Sequence, residues 1–251
     1  MIRVGHLITE TQNIEGDIYC IQLATDWVSN SGNGFGGNMK TYSGISKKDF
    51  VAEMHLHAEL DNFIKGTYGQ GGTKGCAIGC GLKSLNKLKD IDVDTSDHSQ
   101  FEKHGLYPEW LARLEDTLFE GVSDERSKTW PVKFTKAMPD GVEFEKLDQQ
   151  VKIPFIVFIL ESNIENQTRL LEKVTDENIK AVVQQSIAVN KQMIAAQKSG
   201  DKVKIEDARS AAESAAESAV WSAESAVWSA ARSAAYEKYA NELLRLLRKC
   251  K

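Results

Sequence analysis

After Gly200 the chain contains neither glycine nor proline, and much of that stretch is a repeat of alanine, serine and tryptophan. Alanine is the best helix former and nothing there breaks a helix, so one long helix over about residues 203–249 is expected. Two seven-residue units, 218–224 and 225–231, each read Ser-Ala-Val-Trp-Ser-Ala followed by Glu or Ala. They put Trp221 and Trp228 one heptad apart, on a stripe that Tyr236 extends. Serines three or four apart, from Ser210 to Ser233, draw a second, small face. Small faces let helices approach closely, so this segment reads as a packing helix or the seam of a homo-oligomer. The last turns, 242–249, alternate paired leucines with basic residues, which fits a terminal helix docked on the protein rather than one lying on a membrane.

The rest of the chain favours helices from residue 46 on. Ser46 is placed to cap a helix carrying Phe50, Val51, Met54, Leu56, Leu60, Phe63 and Ile64, ended by Gly66. A short helix is expected over 82–88, and a clearer one after Pro108 with Trp110, Leu111, Leu114, Leu118 and Phe119 as its buried stripe. Another begins at Ser123 and restarts at Trp130 and Pro131. Residues 139–141 are a turn, and the apolar run 153–160 is assigned to a helix because its neighbours are helical. Residues 1–45 are mixed: 17–23 are strand-like, and 29–38 are loop-like by composition. The expected fold is mainly α, an α-helical bundle over 46–251 with a small mixed α/β or irregular part at 1–45.

With 251 residues and 41% hydrophobic content, the chain is able to bury a core. A net charge of -5 argues against a general nucleic-acid binder. The first ten residues lack the pattern of a signal peptide and no apolar run has the length of a membrane span, so a cytosolic protein with reduced cysteines is expected.

Candidate chemistry concentrates in residues 66–81, which hold seven glycines together with Cys76 and Cys80, downstream of His55, His57 and Glu59. Three readings compete. In the first, Cys76, Cys80 and His57 hold zinc, joined by His98, with Glu59 as a base. His57-Ala-Glu59 and the cysteine pair are similar to the His-x-Glu and Pro-Cys-x-x-Cys of zinc nucleobase deaminases, but no proline precedes Cys76 and three residues separate the cysteines. In the second, Cys76 is a nucleophile at a helix start, with His57, His98 or His104 as base and Glu59, Asp97 or Glu102 orienting it. In the third, no chemistry occurs and no cofactor is needed. The amides of Gly69, Gly71, Gly72 and Gly75, with Lys74 and Lys83, form a nest for a phosphate or nucleotide. The segment is not a Walker motif, since Thr73 stands where the glycine before the lysine is required.

Residues 73–80 (Thr-Lys-Gly-Cys-Ala-Ile-Gly-Cys), the helix 108–121, the segment Trp130-Pro-Val-Lys-Phe134 and the repetitive tail together resemble a family of uncharacterised proteins of bacteriophages and bacterial genomes. The resemblance spans about residues 50–245 and brings no catalytic residues. It implies a phage protein in the bacterial cytoplasm, and an interaction protein that blocks a host defence enzyme or sequesters its nucleotide signal. The partner is then a host protein or a phosphate-containing small molecule, and a Cys- or zinc-dependent hydrolase or transferase is the alternative.

Overall fold

A computed structural model describes residues 39–69, 72–200, 204, 207 and 228–251. The expected features at 17–23, 29–38, Gly71 and Trp221, and the side chain of Trp228, lie outside the described residues and side chains. The protein is mainly helical, and among the described residues there is no strand beyond two isolated bridges, Lys40 with Glu143 and Phe63 with Gly75. None of the described helices is long and apolar enough to cross a membrane.

The chain divides into two compact units, with boundaries after Lys152 and after Arg232. The larger unit contains α1 (Lys47–Glu59), α2 (Ala77–Lys89), α3 (Ser99–Lys103), α4 (Glu109–Gly121), α5 (Asp124–Ser127), α6 (Trp130–Ala137), α7 (Phe144–Leu147) and a π-helical turn, Asp148–Lys152. The smaller holds α8 (Ile153–Leu171) and α9 (Glu177–Ser199), an antiparallel pair joined by a short turn. The last helix, α10 (Trp228–Lys249), spans the second boundary, and its residues from Ser233 on belong to the larger unit.

Local chemistry explains the element ends. Ser46 Oγ accepts from the Asp49 amide at 3.4 Å, so α1 starts where a capping side chain satisfies an orphan donor. It stops at Glu59, earlier than the expected end at Gly66, because Asp61 turns left-handed (φ 51°) and the Asn62 amide folds back onto the His57 carbonyl. Phe63 then bridges to Gly75. As a result, Phe50 and Met54 are in the core, whereas Leu56, Leu60 and Ile64 are 42%, 59% and 38% exposed. α2 also differs from expectation. It begins at Ala77, so the second half of the glycine-rich segment is helix and Gly79 and Gly81 lie inside it.

The core of the larger unit is aromatic. Phe101 stacks on Tyr107 at 4.7 Å, Tyr107 meets Phe134 edge-on at 5.6 Å, and Trp130 lies 5.9 Å from Phe134. A side chain at Gly81 would run into Phe101, which is why a residue without Cβ sits inside α2. The terminal part of α10 closes this unit through Tyr236, Tyr239, Ala240, Leu243 and Leu247, buried at helical spacing. Glu237 accepts from the Ser123 amide and hydroxyl and from Arg126, and Arg126 also donates to Asn241 at 2.7 Å. The terminal helix is thus docked, as its leucine pattern predicts. In the smaller unit, Leu170, Val174 and Val183 form an apolar cluster near the turn, and Gln167 links Ser186 and Asn190 along the seam.

Candidate functional site

The segment from Gly66 to Cys76 is bonded mostly to its own chain. The Gly66 amide donates to both oxygens of Glu120, at 2.9 and 3.1 Å. The Gly69 amide donates to Thr67 Oγ1, that of Gly72 to the Gly69 carbonyl, that of Gly75 to the Asn62 carbonyl, and that of Cys76 to the Thr67 carbonyl. Lys83 reaches back from α2 and donates to three carbonyls, those of Gly69 (2.7 Å), Gly72 (2.5 Å) and Lys74 (3.1 Å). These bonds weigh against the anion-nest reading. The Gly69, Gly72 and Gly75 amides and the Lys83 ammonium are used within the protein, and the loop turns carbonyl oxygens toward a cation of its own. The Lys74 side chain is exposed. The glycines serve close approach of chain to chain: a Cβ at Gly69 would stand 1.7 Å from the Lys74 carbonyl oxygen, and one at Gly75 2.9 Å from that of Tyr68.

Cys76 is the N-cap of α2, and its sulfur accepts from the Gly79 amide at 3.5 Å. A helix start lowers a thiol pKa when it dominates, but here it does not. Burial, reinforced by the Asp116 carboxylate, pushes the Cys76 thiol well above its ordinary range, against the smaller opposing pull of the Gly79 and Ile78 amides. Cys80 is pushed up to about 11 by burial, and its thiol donates to the Gly75 carbonyl at 3.5 Å. Both sulfurs are buried, and their surroundings favour the thiol over the thiolate that a nucleophile needs.

His57 and Glu59 do not join them as the sequence suggested. His57 is half-buried against Phe63, with Nδ1 3.3 Å from Asn62 Nδ2, and burial lowers its pKa. Glu59 is exposed. Among the described residues no group of three or more His, Cys, Asp or Glu is arranged to hold a metal ion, so the set His57, Cys76 and Cys80 is not assembled as a zinc site. Asp97 and Glu102 bond to nearby helix starts: Asp97 accepts from the Ser99 amide and hydroxyl, and Glu102 from the Glu109 amide at 2.9 Å. The His104 imidazole has its pKa lowered by burial and by Lys89 and Lys103.

The polar centre that does form here is one the spacing arguments missed. Asp116 on α4 accepts from the Tyr68 hydroxyl at 3.3 Å and lies 3.1 Å from His98 Nε2, and the Tyr68 and His98 rings meet edge-on at 5.8 Å. One carboxylate thus ties the glycine loop, the start of α3 and α4 together beside Cys76. The arrangement puts the carboxylate, not the imidazole, next to the thiol, so it raises the thiol pKa where a catalytic pair would lower it. No local motif announces Asp116, because its partners lie 18 and 48 residues away in the chain.

In comparisons with protein families, with curated proteins and with solved structures, nothing matches this chain.

Proposed function

We propose that this protein works by stoichiometric binding to another protein, as a phage-type interaction protein that blocks a host defence factor in the bacterial cytoplasm. One observation carries the reading. Ala52, Leu56 and the C-cap residue Leu60 follow every four residues along the exposed side of α1 and its end, while Phe50 and Met54 on the other side are buried. Apolar residues aligned on one helix face and left in water favour a protein partner that covers them. A protein is favoured over a phosphate-containing ligand because the Gly69, Gly72 and Gly75 amides and the Lys83 ammonium already have partners within the chain. The resemblance of 73–80, 108–121 and 130–134 to phage proteins supplies the context of host and target. Self-association through the repetitive tail is part of the same proposal, a second surface on a binding scaffold.

The test is a phage-plating assay in bacteria carrying a panel of defence systems, with and without the protein. If the wild type restores plating on one of them, the double variant Leu56→Asp/Leu60→Asp should abolish the rescue while keeping the wild-type circular dichroism and melting temperature. A folded Cys76→Ala variant should retain it. Full rescue by the surface variant, or no rescue by the wild type on any defence system, would overturn the proposal.

A further inference from the structure

Glu115 falls on the buried stripe of α4, between Leu111 and Leu118, and is only 1% exposed. Its Oε2 accepts from the Tyr107 hydroxyl at 3.0 Å, and its Oε1 has no hydrogen-bond partner. Around it the segment before α1 contributes Tyr42, and the segment before α4 contributes Tyr107. On the same helix the next residue is Asp116, whose charge is shared with Cys76 at the start of α2. Phe101 of α3 stacks on Tyr107, Phe134 of α6 meets it edge-on, and the Thr135 carbonyl accepts from the Tyr42 hydroxyl at 3.3 Å, while on the Tyr42 side the Lys47 ammonium of α1 lies 6.0 Å from the ring centroid and the Asp140 carboxylate also acts on the phenol. The groups acting on Glu115 itself are the phenols and the Asp116 carboxylate, and the nearby cation, Lys47, donates instead to the Lys136 and Met138 carbonyls.

We infer that Glu115 is a proton-operated switch: protonated, it lets α4 pack against Tyr42 and Tyr107, and deprotonated, it loosens that packing. An ionised carboxylate with a bare oxygen in an aromatic core is not stable there, and water reaches it only if α4 and the Tyr42 segment part. Burial is the main cause of the shift and Asp116 adds to it, raising the Glu115 pKa to about 8 against the opposing hydrogen bond from Tyr107. Burial holds both phenols far above their ordinary range, so they donate and do not titrate in the same window.

The sign follows from linkage. The folded protein keeps a proton that the unfolded chain releases near 4.5, so folding is favoured at low pH and the advantage drains away as pH rises. The folding equilibrium constant falls about tenfold per pH unit up to about 8, and levels beyond it. The experiment compares denaturant unfolding of the wild type and Glu115→Gln from pH 5 to 9. The ratio of their folding constants should fall about tenfold per unit and then flatten; parallel profiles would overturn the inference. Should the glutamine variant not fold, difference infrared spectroscopy of the wild type reads the proton directly. A protonated buried carboxyl band present at pH 7 and lost by pH 9 is expected, and its absence at pH 7 overturns the inference. Hydrogen exchange at the Tyr42 amide, bonded to the Leu106 carbonyl at 3.1 Å, reads the opening. Corrected for intrinsic rates, its protection should fall about tenfold between pH 7 and 9 in the wild type, and unchanged protection would overturn the inference.

Discussion

Gly79 lies so close to Tyr68 that a Cβ on it would stand 2.2 Å from the Tyr68 carbonyl oxygen. The obstacle is backbone, so it cannot swing aside, and the loop must lift for any side chain to fit. Gly79→Ala should therefore destabilise the protein by about 1–3 kcal/mol from overpacking, more than the roughly 1 kcal/mol that alanine brings to a helix interior. Urea unfolding measures the balance, and a stabilised variant would show that the contact is not maintained in solution.

Removing the ammonium of Lys83 should free the loop without emptying the core. Lys83→Met keeps the apolar stem but leaves the carbonyls of Gly69, Gly72 and Lys74 to water, a loss of about 1–2 kcal/mol for charge-assisted bonds at a partly exposed site. Limited proteolysis should then cut near residues 69–74 faster than in the wild type. Lys74→Glu should leave both stability and cleavage nearly unchanged, since its side chain is exposed.

Thiol reactivity offers a direct reading of the electrostatics at Cys76. Burial and Asp116 push the Cys76 thiol up, and burial pushes Cys80 up to about 11, which disfavours both thiolates. Mass-mapped iodoacetamide labelling should therefore leave both unmodified in the folded protein and label both in denaturant. Asp116→Asn should lower the Cys76 pKa by removing the second largest cause of its elevation, although burial still keeps the thiol protonated at neutral pH. Rapid labelling of native Cys76 would contradict this account.

The terminal helix should depend on Arg126. Its guanidinium contacts Glu237 and Asn241 and lies 5.7 Å from the Trp130 ring. Arg126→Ala should cost about 1–3 kcal/mol, as expected for a partly buried charged hydrogen-bond network, and Glu237→Gln less, because its amide still accepts. A double-mutant cycle by thermal unfolding isolates the pair, and simple additivity would show that the contact contributes nothing.

Much of the helical plan was legible in local chemistry. Ser46 before an apolar pattern, Pro108 before another, and the leucines of 243–247 each mark an element found in place. What escaped was non-local. The end of α1 depends on Asn62 folding back and on Phe63 meeting Gly75, and neither can be weighed from helical periodicity. The glycines suggested a ligand because glycine permits close approach, but the approaching group is the protein's own backbone at Tyr68 and Lys74. Glu115 gave a signal that passed unread: at position 115 it continues the line from Leu111 to Leu118, so a carboxyl interrupts the buried stripe itself.

The larger unit takes residues from both sides of the smaller one in the sequence; within it the Tyr236 ring packs against the bare Cα of Gly121, and Glu237 accepts from Ser123. On a translating ribosome the first part of this core emerges with its α10-facing surface uncovered, and stays so until the whole intervening stretch has been made. During that interval apolar side chains that Leu243 and Leu247 later shield are open to aggregation or to chaperones. A chain cut short before Ser233 would therefore keep most of its helices and still leave this core open.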